Sequence, residues 1–120
     1  NNFSKLSQNT GLESINETIV RFERLVNQQF IISRSPSYYA KQLFISENYL
    51  NRLCNRYRHK TAGDIIRDRV YLEAQRLLQH TQMSISEISE QLGFDSASYF
   101  TTFFKKKFTL TPEEFRPKNL

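Results

Sequence analysis

The chain is poor in the residues that staple or punctuate small folds. Its 120 residues include one cysteine, Cys54. No internal disulfide can form, so nothing demands an oxidising compartment. Three glycines and three prolines are too few for the many tight turns of an all-β domain; they fit long helices with short connections. No apolar run approaches the roughly 18 residues that a membrane span needs, and no secretory signal opens the chain. The expected location is therefore cytoplasmic, with no membrane partner. A glycine-rich phosphate loop, a metal-ligand cluster and a nucleophile with a local partner are all missing. Cys54 and His59 lack the further ligands that a metal site requires, and Cys54 reads as a small buried apolar residue. Neither an enzyme nor a cofactor or metal site is expected.

What is present is aromatic and basic. Ten phenylalanines and six tyrosines can fill a core that a chain of this length could not fill with small residues. The formal net charge of +5 suggests a polyanionic partner, either nucleic acid or an anionic surface.

Hydrophobic spacing and capping signals predict an all-α chain of seven helices. Residues 1–11 are polar and aperiodic and read as a linker end; the domain itself is expected over 12–120. The first helix is expected from about Leu12 to Gln29, where Ile15, Ile19, Phe22, Val26 and Phe30 share one face. Ser35-Pro36 reads as N-cap and first turn of a short helix ending near Leu43. Ser46 caps the next, with Leu50, Leu53, Cys54 and Tyr57 on its apolar side. Thr61 and Asp64 resemble a capping box before a long helix over about 62–80, striped by Ile66, Val70, Ala74, Leu77 and Leu78. Ser84-x-x-Glu87 is a second box, and Gly93 suits a helix C-terminus. Asp95 or Ser96 then caps a helix that buries Phe100, Phe103, Phe104 and Phe108. Thr111-Pro112-Glu113-Glu114 starts a final short helix at about 112–116.

Two stretches repeat. At an offset of fifty residues Ser46, Leu50, Leu53, Cys54 and Thr61 match Ser96, Phe100, Phe103, Phe104 and Thr111. Before the serines the offset is forty-nine, pairing Tyr39 and Leu43 with Ile88 and Leu92. The second turn is therefore one residue longer. Each copy reads as a short helix, a tight turn and a longer helix, which is the helix-turn-helix pattern. The units are expected at about 36–58 and 84–107. An ordinary bundle of two similar hairpins would repeat in the same way, but the charge separates the two readings. Residues 46–60 carry a net +3 and residues 94–108 a net +2, which is the whole excess. Positive charge thus sits on the second helix of each repeat, the one that enters the major groove in this motif. The long connecting helix, roughly 28 Å at 1.5 Å per residue, approaches one turn of DNA, roughly 34–36 Å. One chain could then reach two successive major grooves.

The stretch from about Ser35 to Arg116 resembles the DNA-binding domain of the AraC family of bacterial transcription regulators. The strongest part is Ile85-Ser86-Glu87-Ile88-Ser89-Glu90-Gln91-Leu92-Gly93-Phe94-Asp95, then Ser98-Tyr99-Phe100, Phe103-Phe104-Lys105-Lys106 and Thr111-Pro112-Glu113-Glu114-Phe115-Arg116. The resemblance implies homeodomain-like helical units on a linker helix, and regulation of transcription, usually activation. By position it offers Asn48, Asn51 and Arg52 of the first unit to base edges. Arg52 could donate two hydrogen bonds to guanine, and Asn51 could pair with adenine. The second unit offers Ala97, Ser98, Tyr99 and Thr102, where the family often has Arg in place of Thr102. Thr and Ala can touch a thymine methyl, and Ser can bond several bases, so this unit is expected to anchor more than it reads. Lys105 and Lys106, with Arg56, Ser46 and Ser96, are the expected phosphate ligands. The family often places Gly after each recognition helix; here stand His59 and Thr109, and a local backbone adjustment is expected near Thr109.

The resemblance further implies an N-terminal sensor or dimerisation domain outside this chain, a monomeric isolated domain, and contact with RNA polymerase. A protein-docking bundle and a membrane-surface helix are the rival readings. Both would spend apolar faces that the core needs.

Overall fold

A computed structural model of the chain describes residues 17–118. The linker end, Ile15 and the expected start of the first helix near Leu12 lie outside the described residues. Among those described the chain forms seven helices and no strand: α1 (17–29), α2 (Pro36–Gln42), α3 (Glu47–Arg58), α4 (Ala62–His80), α5 (Ile85–Gln91), α6 (Ala97–Phe108) and α7 (Pro112–Phe115). They divide into two compact units, one up to Arg67 and one from Asp68 onward.

In the first unit Ile19, Phe22, Val26 and Phe30 are buried, as their three- and four-residue spacing requires. The Phe22 ring meets Tyr39 of α2 edge-on at 5.8 Å. Gln29 fastens α1 to α2, its Oε1 accepting from the Tyr38 hydroxyl at 2.8 Å and from Gln42 Nε2 at 2.9 Å. Arg58 at the end of α3 donates to both carboxylate oxygens of Glu23, at 2.8 and 3.0 Å. This planar, two-pronged contact fixes α3 against α1. Leu50, Leu53 and Cys54 complete the core, while Tyr57, expected there, is only half-buried. Burial pushes the Cys54 thiol up to about 11, so it stays protonated and unreactive near neutral pH.

The second unit is built on phenylalanine. Phe94, Phe100 and Phe104 are buried, with Val70, Tyr71, Ala74, Leu77 and Leu78 of α4. Tyr71 stacks on Phe103 at 4.3 Å, and Phe104 meets Phe115 of α7 at 5.2 Å. Offset and edge-on contacts of this kind add to the gain from burial. Arg116 folds back so that its Nε donates to the Leu78 carbonyl at 3.1 Å, giving one unsatisfied carbonyl in the last turn of α4 a donor.

Both short helices end in the same way. Ile45 N–H donates to Ala40 O and Phe44 N–H to Lys41 O, each at 3.1 Å. In the second unit Phe94 N–H donates to Ser89 O at 3.0 Å and Gly93 N–H to Glu90 O at 3.1 Å. These are paired Schellman motifs, which need a left-handed residue just past the helix end. Gly93 supplies it at φ 85°, whereas the first unit uses Phe44 at φ 59°. The longer second turn is tied by the buried Ser89, whose hydroxyl donates to Ser96 O at 3.0 Å.

Ser35 and Thr109 differ in detail from what the sequence predicts. Ser35 precedes α2 but its side chain makes no capping bond; its Oγ lies 2.9 Å from Ser37 Oγ. Thr109 takes a left-handed φ of 62° like His59, but its ψ is −3° where that of His59 is 32°; the helix keeps its closing bond from Thr109 N–H to Lys105 O, with the β-branched residue shifted in ψ.

Candidate nucleic-acid interface

The two longer helices of the repeats, α3 and α6, each bury one stripe and expose another. Their starts are set identically. Ser46 Oγ accepts from Tyr49 N–H and Ser96 Oγ from Tyr99 N–H, both at 3.1 Å; Ser96, not Asp95, is the cap. A hydroxyl that accepts one bond can still donate another, so capping leaves both serines able to donate to a phosphate.

On α3, Asn48, Arg52 and Arg56 are exposed. The Arg52 guanidinium lies over the Tyr49 ring, 5.7 Å from its centroid, within cation–π range. Arg52, Arg56, Tyr49 and Leu53 together line a surface cleft of about 260 Å³. Asn51 behaves differently. It is half-buried, and its Oδ1 accepts from Ala62 N–H at 2.9 Å. Paired readout of adenine needs that same oxygen, so the geometry gives Asn51 the work of fastening α3 to the start of α4.

On α6, Ser98, Tyr99 and Thr102 are exposed and Ala97 is half-buried. Ser96, Ser98, Tyr99, Thr102, Phe103 and Lys106 line a cleft of about 430 Å³. It is the counterpart of the α3 cleft at the fifty-residue offset: Tyr99 for Tyr49, Thr102 for Arg52, Phe103 for Leu53, Lys106 for Arg56. Tyr49 was not among the residues singled out from the sequence, although its identity with Tyr99 at the repeat offset was available as a signal. Without an arginine over it, Tyr99 is 61% exposed.

The basic residues divide by position. Arg58 is held by Glu23, and Lys107 sits 4.0 Å from Asp68 with its ammonium 5.9 Å from the Tyr71 ring centroid. Arg52, Arg56, Lys105 and Lys106 are exposed, as is Lys107 beside its carboxylate. Among the described residues no cluster of His, Cys, Asp or Glu could hold a metal, and no helix is long and apolar enough to cross a membrane.

Comparison with known proteins agrees with the helix-turn-helix repeats. A helix-turn-helix domain family matches residues 39–118. The chain is 45% identical over 58 residues to the xylose operon regulatory protein of Haemophilus influenzae, covering 48% of this chain and 15% of that protein. It is 41% identical over 71 residues to the probable transcription factor PqrA of Proteus vulgaris, covering 59% of this chain and 58% of that protein. The chain thus spans less than two thirds of the length of both. Among solved structures, a transcriptional regulator from Chromobacterium violaceum, described as an AraC-type DNA-binding domain-containing protein, superposes with a TM-score of 0.75 at 25% identity, over 84% of this chain and 90% of that one. With the matched region spanning both repeats, the chain belongs to the AraC-type helix-turn-helix family.

Proposed function

We propose that this chain binds duplex DNA at a specific sequence, laying α3 and α6 in successive major grooves to regulate bacterial transcription, usually as an activator. The observation that carries the reading is the repeated cleft. The second helix of each helix-turn-helix exposes one aromatic-floored stripe rimmed by a cation, Arg56 in one copy and Lys106 in the other. That is the helix the motif inserts into DNA. Asn48, Arg52, Ala97, Ser98, Tyr99 and Thr102 are the base-facing residues in this reading. Ser46, Arg56, Ser96, Lys105 and Lys106 are its phosphate ligands. The full-length protein, in the same reading, acts in the cytoplasm, contacts RNA polymerase and carries an N-terminal sensor or dimerisation domain, while this domain alone is monomeric.

Selection from random duplex DNA at two salt concentrations tests it. The expected product is a site with two blocks about one helical turn apart. A single block would leave α6 as an anchor only. Failure to enrich any sequence, with binding lost at moderate salt, would reduce the chain to a general polyanion binder.

A further inference from the structure

The two clefts share a plan and differ in one decisive side chain. In the first, Arg52 occupies the space above Tyr49 and presents hydrogen-bond donors. In the second, Thr102 stands in its place and leaves the larger cleft open over Tyr99 and Phe103. Both rings are held from behind: Phe94 lies 5.9 Å from Tyr99, and Tyr71 stacks on Phe103. The floor is therefore apolar and backed; of its rim, Ser98 and Thr102 offer single hydrogen bonds, and Lys106, which alone could reach guanine with two, is placed on phosphate in the reading above.

Of the four bases, only thymine offers an apolar group, its C5-methyl, in the major groove. Resting on the DNA-binding reading above, we propose that α6 recognises thymine by seating this methyl against Tyr99, Thr102 and Phe103. The repeats then read by opposite chemistry, α3 through the hydrogen bonds of Arg52 and α6 through apolar burial. Tyr99 is the specificity-determining residue of the second block.

The central comparison alters only the DNA. The selected duplex is compared with one carrying deoxyuridine for each thymine of the α6 block, which removes only the methyl. That block is identified as the one whose preferred bases change when Thr102→Arg is put through the same selection. Each contacted methyl should be worth about fourfold in affinity, the transfer free energy of one methyl group (about 0.8 kcal/mol). In Tyr99→Ala the thymine-to-deoxyuridine ratio should fall to one whatever happens to overall affinity, and Thr102→Arg should trade the methyl requirement for a preference for guanine. Equal binding of the thymine and deoxyuridine duplexes, with preference for the selected site intact, overturns the methyl proposal and leaves the DNA-binding reading standing. Equal binding of the selected and random duplexes would instead overturn the DNA-binding reading and the methyl proposal with it.

Discussion

Phe44 combines two costs in one residue: a left-handed backbone at φ 59° and a ring that is 92% exposed. The Schellman ending explains the backbone, and no contact repays the side chain. Phe44→Gly should therefore stabilise the domain by about 1 kcal/mol, the balance of left-handed strain against the chain entropy of glycine. Thr109→Gly should gain a similar amount, about 1 kcal/mol, since a β-branched residue is ill suited to that region. Urea unfolding of each variant reads both; loss of stability would show that the side chains hold something not visible in their surroundings. These positions mark the limit of the sequence. Gly93 announced its own left-handed turn, whereas Phe44 gives no sign of one in its residue type; only its pairing with Gly93 at the forty-nine-residue offset points to it. Asn51 was hidden for a related reason. Its partner Ala62 lies eleven residues away in sequence, and only the packed corner between α3 and α4 brings them together. Arg52 was singled out by its position in the family resemblance and by the two bonds arginine can give to guanine, but its seat over Tyr49 depends on rotamers that the sequence does not state.

At the level of the element, most boundaries were legible, since they rest on neighbours three residues apart. The boxes Thr61/Asp64, Ser84/Glu87 and Thr111/Glu114 all close reciprocally. Ser84→Ala should cost about 1 kcal/mol, read as a lowered urea midpoint. The same bonds set the acid response. Backbone N–H donation from Ser84 and Thr111, reinforced by their hydroxyls, holds Glu87 and Glu114 below the ordinary value of 4.5. The Arg67 guanidinium and then Thr61 lower Asp64, and Arg76 lowers Glu73. A carboxylate depressed on folding adds stability above its unfolded value and loses it as pH falls through its folded one. The urea midpoint should thus hold from pH 7 to about 5.5 and drop below about pH 4.5. Glu87→Gln should make that drop shallower. A midpoint insensitive to acid would mean that the boxes do not form in solution. Ser35 is the exception among the caps. Its position before Pro36 was right, but the neighbouring Ser37 hydroxyl draws its Oγ into a local bond instead.

Across the whole chain, the repeat and the distribution of charge already pointed to two recognition helices, because both are properties of order and composition. The cleft contrast was not legible. It needs the four matched lining positions of each helix on one face, with backing rings from Phe94 and Tyr71 contributed by other segments. The division of labour among the cations was equally hidden, since pairing of Arg58 with Glu23 spans 35 residues. In the proposed function α3 and α6 meet DNA through distinct residues, some reading bases and some anchoring phosphates. A salt series of binding affinity for Arg52→Ala and Lys105→Ala, on the selected duplex and on single-base variants of it, tests that division of roles. Arg52→Ala should cost about 1–3 kcal/mol on the selected site and relax preference at one base pair. Lys105→Ala should weaken all duplexes alike and reduce the slope of log affinity against log salt by about 1. The same loss from both variants on every duplex, or none from either, would contradict the assignment.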